Sequence, residues 1–106
     1  MANPRQPFID SLLKGETVKF RACGNSMTPR IPNKSLLTLE AIKDYTSLKN
    51  GNAVLCKVRK NVFVHLITGV QGKDEKLQFQ ISNNHGRVNG WTSYKNIYGK
   101  LILVES

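Results

Sequence analysis

Two residues in this sequence are of types and in settings that could carry nucleophilic chemistry. Ser26 stands in Gly24-Asn25-Ser26-Met27-Thr28-Pro29, where a glycine and a proline hold the chain in a loop. A serine hydroxyl attacks a carbonyl only when a neighbouring base takes its proton, so its partner matters as much as the serine. The chain has 2 histidines. His85, in Asn84-His85-Gly86-Arg87, reads as a loop residue, whereas His65 lies in the otherwise apolar Val62-Phe63-Val64-His65-Leu66-Ile67. Burial there disfavours the imidazolium and leaves a neutral ring able to accept a proton near neutral pH. Taken singly, each residue also has a plainer reading. A strand histidine can simply bond a backbone carbonyl in the core, and Asn-Ser beside Gly and Pro is ordinary turn chemistry.

Other groups near these two define the remaining chemistry. The backbone N–H of Ser26, with the Asn25 amide beside it, would face the oxyanion that forms on a scissile carbonyl. Lys57 follows an apolar stretch and is a backup base if buried, or a surface lysine laying its stem on the core if not. Cys23, three positions before Ser26, offers a thiol, but its place at a strand end points it to the core. Two histidines and two cysteines without close paired spacing fit no usual metal site, and no cofactor is expected. Trp91, near Arg87 and Tyr94, is either a stacking and anion-contacting surface or the anchor of a long loop.

The elements that must position these residues are mostly strands. Residues 1–6 read as a flexible tail, and Pro7-Phe8-Ile9-Asp10-Ser11-Leu12-Leu13 as a short helix closed by Gly15. From Thr17 the apolar period becomes two, with Val18, Phe20 and Ala22 on one side, so a half-buried strand feeds the Ser26 loop. Strand character resumes over Ser35 to Ile42. Ala53 to Val58 and Val62 to Ile67 make a hairpin about a Lys60-Asn61 turn, and Leu77 to Ile81 adds a third strand beside it. The turn formers between Ser82 and Ser93 predict an extended loop, and Ile97 to Val104 a closing strand. The expected fold is mainly β, a curled and partly closed architecture with one short N-terminal helix, in a single domain over residues 7–106.

Composition sets the bounds. The chain has 106 residues, with 16 Lys and Arg against 7 Asp and Glu, giving a net charge of +9. That excess draws a protein to nucleic acid or to an acidic protein, although the basic residues are dispersed rather than clustered. No apolar stretch approaches the roughly 20 residues needed to span a bilayer. With no secretory signal and two cysteines, Cys23 and Cys56, a reducing cytoplasm is the expected setting.

The order of the motifs resembles a known superfamily. Gly24-Asn25-Ser26-Met27-Thr28-Pro29 is similar to the G-x-S-M-x-P box shared by signal peptidases and LexA-type self-cleaving repressors. Gly51-Asn52-Ala53-Val54-Leu55-Cys56 resembles the opening of the hairpin that follows the box, and Val62 to Ile67 resembles its second strand, which carries the general base. Ile81-Ser82-Asn83-Asn84 and Ile97-Tyr98-Gly99-Lys100 echo a later loop and closing strand, so the likeness runs over residues 17–104. Histidine rather than lysine at the base position is similar to the Ser-His type of signal peptidase. The resemblance implies a LexA/signal-peptidase type of fold, with Ser26 as nucleophile, His65 as base, and Asn25, Met27, Asn83 and Asn84 around the oxyanion and substrate.

This chain departs from the pattern in ways that bear on activity. Asn52 replaces an aspartate, Leu66 an arginine, and Asn83-Asn84 stand where the His-type enzymes have acidic residues. With no carboxylate in view, the His65 tautomer is expected to depend on a backbone carbonyl or on Asn83 or Asn84. The expected activity is that of a soluble serine endopeptidase cutting an extended peptide in trans, since little chain precedes Ser26 and no helix-turn-helix is visible. The alternative is a peptidase-fold binding module that uses its basic surface on nucleic acid or an acidic protein.

Overall fold

The structure, a computed structural model, describes residues 5–105, so most of the expected tail lies outside the described residues. Arg5 caps helix α1 (Gln6–Leu13), which has Pro7 in its first turn, where a missing N–H costs nothing. Ile9 and Leu12 are its buried residues, and Gly15, at φ +89°, provides the left-handed stop that ends it. The helix docks on Gly99, where an added Cβ would lie 2.8 Å from Leu12 Cδ1.

Seven strands follow: β1 (Val18–Arg21), β2 (Leu36–Ala41), β3 (Ala53–Val58), β4 (Asn61–Gln71), β5 (Gln78–Ser82), β6 (Val88–Ser93) and β7 (Ile97–Glu105). They form one antiparallel sheet in the order β1-β2-β7-β3-β4-β5-β6. β3 to β6 are a meander, and β7 returns to insert between β2 and β3. The expected hairpin is present with its turn one residue earlier: Val58 pairs with Asn61 across Arg59 and Lys60. The expected long loop over Ser82 to Ser93 is corrected by β6. Its second half, Val88-Asn89-Gly90-Trp91-Thr92, pairs with β5, and only the turn formers ahead of it remain a loop. β-branched and aromatic side chains outweigh the Asn and Gly between them once a partner strand is present.

Partial closure is also corrected, because the ladder stays open with β1 and β6 as its edges. It is nevertheless curled. Thr92 Oγ1, on β6, donates to the Lys57 carbonyl of β3 at 2.8 Å across two intervening strands. Curling gives the sheet two packed faces. One carries Phe20, Leu37, Leu39, Leu55 and Val64, packed with Ile9 and Leu12 of the helix, and the other Val54, Cys56, Ile67, Phe79, Ile81 and Ile97. Consecutive residues of β3 therefore enter opposite cores, as a central strand requires.

Candidate active site

The loop that carries Ser26 has no regular structure, and its shape comes from fasteners. Between β1 and β2, Met27 and Ile31 are buried in the helix-side core, each burial contributing about 1.5–3 kcal/mol. Gly24, at φ +90°, turns the chain outward just before the serine and donates its N–H to Asn33 Oδ1 at 2.9 Å. Thr28 Oγ1 donates to the Asn25 carbonyl at 2.8 Å. From the β5–β6 turn, the Asn84 backbone N–H donates to the Ser26 carbonyl at 3.0 Å, Asn84 Nδ2 to the Thr28 carbonyl at 3.1 Å, and His85 Nε2 to the Asn25 carbonyl at 3.0 Å. Arg30 Nη2 ties the far side to the Gly51 carbonyl at 2.9 Å. An exposed serine is thus held on a pinned loop.

His65 approaches from below, on β4. The Ser26 hydroxyl and His65 Nε2 are 3.0 Å apart. His65 is 5% exposed, and the Phe63 ring stacks on it with centroids 3.9 Å apart and planes 12° from parallel. On the ring's other side, Nδ1 lies 2.7 Å from Asn89 Oδ1. An amide oxygen only accepts, so Nδ1 bears the hydrogen and Nε2 presents its lone pair to Ser26. Burial holds the imidazolium below histidine's usual range, and the Asn89 bond partly opposes it by steadying the charged ring. The result is a neutral base aimed at a serine hydroxyl, with its tautomer fixed by a third residue.

Asn89 reaches His65 because of a bulge. Ile81 pairs with Gly90 but Ser82 with Val88, leaving Asn89 the extra residue between them. Such an insertion re-aims a side chain out of the normal alternation. A matching irregularity between Ile67 and Gly69 bends β4 on the other side of β5.

Donors for an oxyanion are also at hand. Among the described residues, the backbone N–H groups of Asn25, Ser26 and Met27 donate no intramolecular hydrogen bond. Beside Ser26 runs a cleft whose lining includes Arg5, Ala22, Met27, Ile31, Phe63 and Val64. Neither protein-family models nor curated proteins give a match to this chain.

The structure brings Ser26 and His65 together and assigns several other expected residues different work. Asn83 and Asn84, expected to orient the base, do not bond His65; Asn89 does. Asn83 Oδ1 accepts from the N–H of His85 at 2.9 Å and of Arg87 at 3.0 Å, shaping the turn, while Asn84 fastens the serine loop. Lys57 is corrected as a backup base. The register pairs Lys57 with Val62 and Val54 with His65, so alternation sets Lys57 on the opposite face of the hairpin, and it is exposed. Met27 is a buried anchor that also lines the cleft, and Asn25 uses its carbonyl within the loop while its side chain is exposed. Cys23 is exposed rather than core-facing, and both it and the buried Cys56 are free thiols. Burial pushes the Cys56 thiol well above its ordinary range, so it is inert. No group of three or more His, Cys, Asp or Glu among the described residues could hold a metal, and no helix among them is long and apolar enough to cross a membrane. In the sequence Asn89 reads as one of the turn formers of the Ser82 to Ser93 loop, although an isolated Gly90 within a Val, Trp and Thr stretch is a bulge signal.

Proposed function

We propose that this chain is a serine endopeptidase working through a Ser26–His65–Asn89 relay, on the LexA/signal-peptidase-like scaffold that its serine box resembles. The hydrogen-bonded line from the Ser26 hydroxyl through His65 Nε2 and Nδ1 to Asn89 Oδ1, at 3.0 and 2.7 Å, carries this reading. Each part matches a step of acyl transfer. Ser26 Oγ attacks the scissile carbonyl carbon as its proton passes to Nε2. The new oxyanion faces the unengaged N–H groups of the serine loop. The imidazolium, steadied by Asn89, returns that proton to the leaving amine as the C–N bond breaks. Water, deprotonated in turn by His65, then attacks the acyl ester and releases Ser26.

An amide steadies an imidazolium less than a carboxylate does, so the relay favours slow turnover on an extended peptide supplied in trans. The setting proposed is a reducing cytoplasm in which both cysteines stay free. The test is to incubate wild type and Ser26→Ala with a diverse peptide pool and read new termini by mass spectrometry. New termini should appear with wild type alone; identical product sets would end the peptidase reading. A second reading, a basic binding module without catalysis, draws on the net charge of +9. It requires salt-sensitive binding of nucleic acid or acidic protein that Ser26→Ala leaves intact.

A further inference from the structure

Phe63 lines two hollows. On one side is the cleft beside Ser26. On the other is an open groove whose lining includes Arg59, Asn61, Arg87 and Asn89. Arg59 is the first turn residue of the β3–β4 hairpin, at φ 57°, and Arg87 enters β6 with its N–H held by Asn83 Oδ1. Both are exposed. Among the described residues neither guanidinium makes a hydrogen bond or an ion pair, and no acidic side chain lines the groove. Two uncompensated cations and two side-chain amides therefore converge on a groove that shares Asn89 with the relay and Phe63 with the cleft.

The chemistry of the relay gives this groove a direction. His65 Nε2 must protonate the leaving amine, so the departing segment starts beside His65, and the groove adjoins that point through Asn89 and Phe63. We infer that Arg59 and Arg87 form a recognition site for an acidic side chain on the C-terminal side of the scissile bond, an inference that rests on the peptidase reading of Ser26 and His65. Guanidinium forks match carboxylates bidentately. One face of the Phe63 ring already stacks on His65, so the groove offers at most a single aromatic face beside two guanidinium forks, a set better matched to a carboxylate than to a stacked nucleic-acid base.

The test uses peptides built on a cleavage site found in the pool, carrying Glu, Gln or Lys at each of the first few positions after the cut. Wild type should cleave the best Glu peptide with kcat/KM about 5- to 10-fold above its Gln twin, from one charge-assisted contact at an exposed site. That ratio should fall to near one in Arg59→Gln/Arg87→Gln and turn toward Lys in Arg87→Glu. Thermal melts of the variants establish that they fold. In parallel, fluorescein-labelled peptides of one fixed sequence, differing only in a single Glu, Gln or Lys, are titrated into Ser26→Ala by anisotropy. Cleavage by wild type without a Glu preference overturns the groove assignment and leaves the Ser26 reading standing. Glu-selective binding that the double variant loses, with no cleavage by wild type, upholds the groove as an acidic-peptide site and ends the activity. A single-stranded oligonucleotide that binds Ser26→Ala and is lost in the double variant, where peptides do not bind, overturns the peptide assignment.

Discussion

Replacing Asn89 with aspartate puts a charge where the relay now has none, and the size of the response can be worked out. Aspartate is nearly isosteric with asparagine, so a carboxylate oxygen would occupy the place of Oδ1, 2.7 Å from His65 Nδ1. At a charge separation of about 4 Å and an effective dielectric of about 20, the attraction to an imidazolium is about 4 kcal/mol. Desolvating the new carboxylate consumes part of this, which leaves a rise of about 1–2 pKa units, or about 1.4–2.7 kcal/mol. Burial holds His65 below the usual histidine range, and Asn89→Asp should raise its midpoint. Asn89→Ala removes the bond that supports the charged ring and should lower it further. The measurement is an NMR titration of the two histidine Cε1–H signals, assigned with His85→Gln, with ring nitrogen shifts reporting the tautomer. A His65 midpoint that stays in place or falls in Asn89→Asp, or a wild-type ring carrying its hydrogen on Nε2, would refute the relay. If the reasoning holds, the rising limb of the peptidase pH profile moves upward with the midpoint.

Met27→Ala should cost about 2–5 kcal/mol in urea unfolding and reduce kcat more than KM, because the anchor beneath the serine loop is lost. Thr38 is 6% exposed and its Oγ1 is buried without a hydrogen-bond partner, so Thr38→Val should raise stability by about 1 kcal/mol. Wild-type stability should fall on acidification. The folded pKa of His65 is depressed, so the unfolded chain takes the proton first, and stability present above pH 6.5 is lost as pH falls through the folded value. His65→Gln should flatten that slope, read as melting temperature against pH.

Much of this was legible because burial writes itself into residue order. The apolar run Ala53 to Cys56 reads as a strand, which the structure buries on both faces, and a histidine in the middle of the next apolar run stands out because its neighbours do not share its chemistry. Alternation alone sets Lys57 off the His65 face, since a two-residue turn at either place puts His65 opposite Val54 or Cys56, each an odd number of positions from Lys57. Ile97 to Val104 was recognisable as a strand, but its insertion between β2 and β3 depends on contacts between distant segments that no local pattern encodes. Asn89 was hidden for the same reason. Its role comes from a register shift between β5 and β6, and its local context of Asn, Gly and Arg reads as a loop until a partner strand is in place.

The position of β7 has a consequence for when this protein can act. Ser26 is carried by the β1–β2 end of the sheet and His65 and Asn89 by the β3–β6 meander, and the ladder joins these two halves through β7 alone. β7 also comes later in the chain than Ser26, His65 and Asn89. A nascent chain can hold every residue of the relay and still lack the strand that joins the two halves of the ladder, so on the proposed reading competence waits for β7. Cutting the chain back through β7 should leave all three residues in the sequence and the protein latent.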